Sequence, residues 1–157
     1  MSLAEEITGI AEVIKAKFPD AVVHSYQEPV PAERKKGQFV IMLKQDIRRG
    51  ESLSQTWVQR QYTVVHYGEN ARQAVVGMDT LSRYVMNEQV SIPAAGSAGK
   101  AIKAESFTYD SAEEQENGLV RCSAVLQIQY REPVAVETFT KLKRVEVRMH
   151  NNLKGGH

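Results

Sequence analysis

The groups in this chain that could do chemistry are few and lie in short clusters. Gly96-Ser-Ala-Gly-Lys100 has the parts of a phosphate cradle, glycines followed by a lysine. A phosphate-binding loop needs four residues between its glycines and a Ser or Thr after the lysine, because backbone N–H groups wrap the phosphates while the hydroxyl holds magnesium. Here two residues intervene, Ala101 follows, and the next pattern is a strand, so no helix amino terminus faces the anion. The stretch reads as a flexible linker. His24, His66, His150 and His157 are scattered, no two at metal-ligand spacing on one element, and one cysteine, Cys122, is too few for a structural zinc site. His66 closes a strand beside Tyr67 and reads as a rim residue. No Ser or Cys is paired by spacing with a base and a third orienting group, so no nucleophilic trio is nominated. Glu113, Glu114 and Glu116 form a carboxylate cluster, but without the alternating oxygen ligands and bend glycine of a calcium loop they read as a solvated turn. No catalytic residue, cofactor site or metal site is expected.

Two basic groups are left, Arg34-Lys35-Lys36 and Arg48-Arg49, the second in a stretch with Asp46. Either would suit phosphates or an acidic face of a partner protein, or would simply be solubilising charge. Neither has interleaved aromatics, which weakens a single-stranded nucleic-acid reading.

The elements that would hold these groups follow from periodicity. Leu3, Ile7, Ile10, Ile14 and Phe18 recur at steps of four, three, four and four, the stripe of a helix that Ser2 and Glu5 cap and Pro19 stops. Asp20 to Tyr26 is a short strand, and Gln38 to Lys44 another, with apolar residues on both faces, as in an inner or doubly covered strand. Lys44 to Ser54 is a loop by composition, long enough to be mobile or functional. Thr56 to Tyr67 is the longest strand; Val58, Tyr62 and Val64 share a face with Arg60, while Trp57 and Val65 fall on the other. Asn70 with Gln73 caps a second helix striped by Ala74, Met78, Leu81 and Val85 and running to about Met86. Gly9 and Gly77 each weaken their helices, by about 1 kcal/mol against Ala.

A hairpin of Ala101 to Tyr109 and Leu119 to Arg131 follows, turning through Asp110–Gly118. Its second strand sets Val120, Cys122, Ala124, Leu126, Ile128 and Tyr130 on one dry face, with Val125 the exception. Beyond Pro133, Phe139, Leu142, Val145 and Met149 fit a third helix from about Glu137, although Val145, Val147 and Met149 also alternate as a strand would. Successive strands without crossover helices predict an α+β domain: four to five mostly antiparallel strands, helices on one face and a long hairpin. One domain spanning 1–157 is expected, with the ends 1–3 and 154–157 read either as disordered or as residues left by cloning.

Composition limits the function classes. Hydrophobic content of 42% and charged content of 25% suit a globular chain. No apolar run approaches the roughly 18 residues of a membrane helix, and no signal peptide is evident. With 20 basic against 19 acidic residues there is no global field to attract nucleic acid. Cys122, on the dry face, is expected to be a core residue.

In length, order and texture the chain resembles the tail terminator, or tail-completion, proteins of long-tailed bacteriophages and prophages. The likeness rests on the first helix closing in Phe18-Pro-Asp, the strand through Gln38-Phe-Val-Ile-Met-Leu43, the strand Trp57 to Tyr67, the helix from Asn70, and the hairpin ending Leu126-Gln-Ile-Gln-Tyr130. The resemblance implies a structural subunit, not an enzyme, that closes into a ring of identical copies, commonly six, on the end of the tail tube. The ring would stop tube growth and offer the surface that joins the head. Its partners would be sibling subunits, the tube protein and the head-tail connector, with no small-molecule substrate, no membrane and no DNA contact except through a ring lumen. It would work in the host cytoplasm during assembly and at the head-proximal end of the virion tail. Asp46, Arg48, Arg49 and the turn residues Glu113, Glu114 and Glu116 are the candidate protein contacts. The alternatives are a nucleic-acid-binding module using the basic loops, a minor head-tail connector component, and a small enzyme built from strand ends.

Overall fold

The computed structural model describes residues 2–93 and 101–135. The proposed terminal helix and the Gly96–Lys100 linker lie outside these residues. Helix α1 spans Leu3–Lys17, and its capping box forms as expected: the Ser2 hydroxyl accepts from the Glu5 N–H, and the Glu5 carboxylate accepts from the Ser2 N–H. Ser2 and Leu3 thus take part in the start of α1. Helix α2 spans Ala71–Met86 behind an Asn70 cap.

Among the described residues there are eight strands, in chain order β1 Val23–Ser25, β2 Phe39–Gly50, β3 Gln55–Gly68, β4 Ile92–Pro93, β5 Ala101–Ile102, β6 Ser106–Tyr109, β7 Glu113–Glu114 and β8 Val120–Pro133. The main sheet runs β1-β2-β3-β8-β6, with β7 also on β8, while β4 and β5 form a separate antiparallel ribbon. The class is α+β, with a mixed and mostly antiparallel sheet. β1 is the parallel exception, pairing Val23 with Phe39 and Ser25 with Ile41.

Two expectations change. Lys44 to Gly50 is not loop but the second half of β2, and only Glu51–Ser54 turns, closed by the N–H groups of Glu51 and Ser52 on the Gln55 carbonyl. Charged composition suggested a loop, yet a strand whose side chains are exposed tolerates Lys, Gln and Arg, because cross-strand hydrogen bonds do not depend on side-chain type. The longest hairpin is therefore β2–β3. In the predicted hairpin, β6 does pair with β8 antiparallel, Phe107 opposite Leu126, but Ala101 and Ile102 leave it to pair with β4.

By Cα proximity the chain forms two compact units, residues 1–46 with 59–129, and 47–58 with 130–157. In the first, Phe39, Ile41, Tyr62, Val64, Cys122, Ala124, Leu126 and Ile128 bury one sheet face with Ile7, Ile10, Ile14, Met78 and Leu81 of the helices. A smaller core of Val40, Val65 and Tyr67, flanked by Met42 and Leu119, fills the other face, which explains the two-sided apolar pattern of β2. Gly9 and Gly77 mark close approaches: a Cβ on Gly9 would stand 2.3 Å from the Pro93 carbonyl oxygen, and one on Gly77 2.4 Å from His66 Nε2. Their cost in helix propensity is offset by that packing. In the second unit the described strand ends are joined by the Val134 N–H donating to the Ser54 carbonyl at 2.9 Å.

Candidate functional site

Three polar assemblies organise the described residues, and only the last resembles a surface for a partner. The first is buried. β3 alternates, so Arg60 shares the covered face with Val58, Tyr62 and Val64, and α1 brings Glu6 to it from the turn before Ile7. Both side chains are almost fully enclosed, Glu6 at 0% and Arg60 at 3% exposure. The Arg60 guanidinium donates to Glu6 Oε2, the Tyr62 hydroxyl donates to Glu6 Oε1 at 2.9 Å, and Asp46 Oδ2 stands 3.3 Å from Arg60 Nε. Burial and the Glu6 carboxylate both push the Tyr62 phenol upward, so it stays a donor. Desolvating two charges is expensive unless they are paired, and Glu6 and Arg60 are paired with each other. Asp46, nominated as a partner contact, is a member of it. Arg60 was visible in the sequence as a charge among apolar positions; Glu6 was not, since a glutamate in a first helical turn normally faces water.

The second assembly gathers around Glu28. It accepts from the Tyr67 hydroxyl and Arg121, and Arg34 stands 3.4 Å away while also lying over the Tyr67 ring. Burial alone would raise the Glu28 carboxyl, but the Tyr67 and Arg121 hydrogen bonds and the two arginine charges outweigh it and hold the group low. Tyr67 is pushed up to about 12 by burial and by Glu28. Arg34 also donates to the Pro29 carbonyl and to Gln115 Oε1. The basic run 34–36 is thus divided: Arg34 is fixed inside, and Lys36 pairs at the surface with Glu69 at 2.7 Å. Glu113 and Glu114 do not form a free turn but pair as β7 with Arg121 and Val120 of β8. Their side chains, like that of Glu116, remain exposed.

His66 is not at the rim. It is buried, stacked on Phe39 with centroids 4.1 Å apart, and its Nδ1 lies 3.2 Å from the Gln38 carbonyl. A carbonyl only accepts, so Nδ1 carries the proton, and burial lowers the imidazole pKa. A cleft of about 620 Å³ reaches it, walled by Phe18, Pro19 and Val22 and rimmed by Lys17, Lys35 and Lys36. Among the described residues its lining includes no serine, threonine or cysteine. Cys122 is buried, as expected of a core residue, and its thiol donates to the Asp110 carbonyl. Among the described residues no group of three or more His, Cys, Asp or Glu could hold a metal ion, and no helix is long and apolar enough to cross a membrane.

The third assembly lies in the second unit and is exposed. Arg48 donates to Glu132 at 2.7 Å; Arg131 donates to Glu51 at 2.7 Å and lies over the Trp57 ring, 4.9 Å from its centroid. Arg49 is exposed beside them on β2, and Leu53, in the turn, is 85% exposed. The structure therefore places Arg48 and Arg49 on an ordered strand, in a lattice of opposite charges. No family model and no curated protein matches this chain.

Proposed function

We propose that this protein is a structural subunit of the tail-terminator kind, a building block that joins copies of itself and caps a phage tail tube, with no bond-making chemistry of its own. The observation that carries this reading is the exposed second unit. It is a ribbon of strand ends cross-tied by ion pairs, carrying Arg48 and Arg49 and ending in an apolar Leu53 at its turn. Ion pairs in water contribute little stability, about 0–1 kcal/mol each. They do preset charged side chains in a fixed array, which lowers the ordering cost of docking on a charged partner. The buried acid Glu6 and the half-buried Glu28 are each paired with an arginine of the same unit, which supports the fold. Arg34 is fixed by Glu28, which removes the strongest part of the basic run that a nucleic-acid module would need.

The test mixes the protein with polymerising tube protein and follows tube length and end caps by negative-stain microscopy. Arg48→Glu with Arg49→Glu is expected to abolish capping while the circular-dichroism melt stays within a few degrees of the wild type. Capping that survives the double reversal would remove Arg48 and Arg49 from the docking surface.

A further inference from the structure

We propose that the cleft at His66 binds a small aromatic acid, a flat molecule with an O–H or N–H donor at one end and a carboxylate at the other. The site lies within the helix-covered unit and is independent of the assembly reading.

His66 supplies the floor. The residue is 5% exposed, and its Nδ1 donates to the Gln38 carbonyl, which leaves Nε2 as the ring's acceptor. Nε2 has no hydrogen-bond partner among the described residues. It nevertheless keeps some accessible surface, and His66 lines the cleft of about 620 Å³. Gly77 lines it too; a Cβ there would stand 2.4 Å from Nε2, so this turn of α2 adds no side chain over the nitrogen. The stack on Phe39 uses the ring's face and the Gln38 bond uses one nitrogen, and neither needs the second. An acceptor largely withdrawn from water and left unmet costs about 1–3 kcal/mol, which a ligand's donor would recover.

The wall and the mouth define the rest of the ligand. Phe18 and Val22 line the wall, and the Phe18 ring centroid is 5.0 Å from that of Phe39 and 6.2 Å from that of His66, so aromatic carbon borders the floor. Lys17, Lys35 and Lys36 stand at the mouth with one acid, Asp20. Lys36 is held by Glu69 at 2.7 Å, and Lys17 lies over the Tyr84 ring, 5.4 Å from its centroid. The exposed Lys35 ammonium has neither kind of partner among the described residues. With Glu69 counted, three ammonium groups meet two carboxylates, so the mouth stays positive. Gln73 Oε1 accepts from the Glu69 N–H, which leaves its Nε2 as a further donor for an anion.

Small-molecule sites are mainly apolar concavities of about 300–1,000 Å³ in which a few polar groups fix orientation. Here an acceptor at the floor, apolar carbon along the wall and cations at the mouth call for a donor, a flat body and an anion in that order. An inorganic anion lacks the body, and a fatty acid lacks the donor.

Two probes test the proposal: 6-hydroxy-2-naphthoate, which has all three parts, and 2-naphthoate, which lacks the donor. Binding to the full chain is followed by NMR titration of the Gly77 amide. The hydroxynaphthoate is expected to saturate and to bind about tenfold more tightly than the naphthoate, the ratio one hydrogen bond supplies. In His66→Phe, which keeps an aromatic ring against Phe39, that preference should fall to about one. Lys35→Ala should weaken both probes by about threefold, an effect that shrinks in high salt. Val22→Trp changes a side chain that is 55% exposed and should block both probes without unfolding the chain. Equal affinity of the two probes for the wild type, or a preference that survives His66→Phe, would overturn the role given to Nε2. No saturable binding of either probe at millimolar concentration would overturn the site itself. Gly77 shifts that appear only with added tube protein would overturn it too and give the cleft to a partner's side chain. The capping test with Arg48→Glu and Arg49→Glu stands or falls separately from all of these results.

Discussion

Charge is used in opposite ways in the two units. In the helix-covered unit, Glu6 and Arg60 are enclosed, and each stands against the other's charge: removing one takes away an ionic partner that water cannot readily replace there. In the strand-end unit, Arg48–Glu132 and Arg131–Glu51 are at least partly open to water and salt, and losing one leaves groups that water can satisfy. The first arrangement fixes how α1 seats on the sheet. The second presents charge that can be exchanged for a partner's. The contrast indicates which charges to regard as architecture and which as surface for recognition, a distinction that residue type does not make.

The largest effect should come from breaking the enclosed pair. Glu6→Ala is expected to destabilise the protein by about 3–5 kcal/mol in urea unfolding, because Arg60 and the Tyr62 hydroxyl lose their shared acceptor. The pair Glu6→Leu with Arg60→Met should recover most of that loss. A single substitution that costs under about 1 kcal/mol would place this cluster with the surface pairs.

Acid should distinguish the units by a smaller amount. The His66 pKa is lowered by burial in the folded state, so as pH falls the unfolded chain takes up its proton first. Stability from this group is constant above the unfolded value of about 6.5, declines as pH drops through it, and stops declining below the folded pKa. His66→Phe, which can keep the stack on Phe39, should flatten that part of the stability-pH curve. A slope that persists in the variant would assign it to another group.

The smallest effect on stability should come from Glu132→Ala. A change of about 0–1 kcal/mol is expected, vanishing in high salt, as read by thermal melts at two ionic strengths. A loss comparable to that of Glu6→Ala would erase the contrast between the units.

Much of this was legible beforehand because it is local. The Ser2–Glu5 and Asn70–Gln73 signals placed both helix starts, the steps of three and four named the residues of each buried stripe, and alternation in Val120 to Ile128 gave the dry face of β8. Lys44 to Gly50 was misread because composition reports where side chains lie, not whether a backbone has a neighbour. His66 was read as a rim residue because nothing near it in sequence announces that Phe39 will stack on it.

The sequence by itself determined the elements, their caps and their apolar faces, since these depend on residues within a few places of one another. Only the tertiary structure decided that Glu6 meets Arg60 across 54 positions, that Arg34 is held by Glu28, and that β1 pairs with β2 from Val23 opposite Phe39 to Ser25 opposite Ile41. Those outcomes depend on which strands become neighbours and where each register ends, and a linear pattern of residue types carries neither.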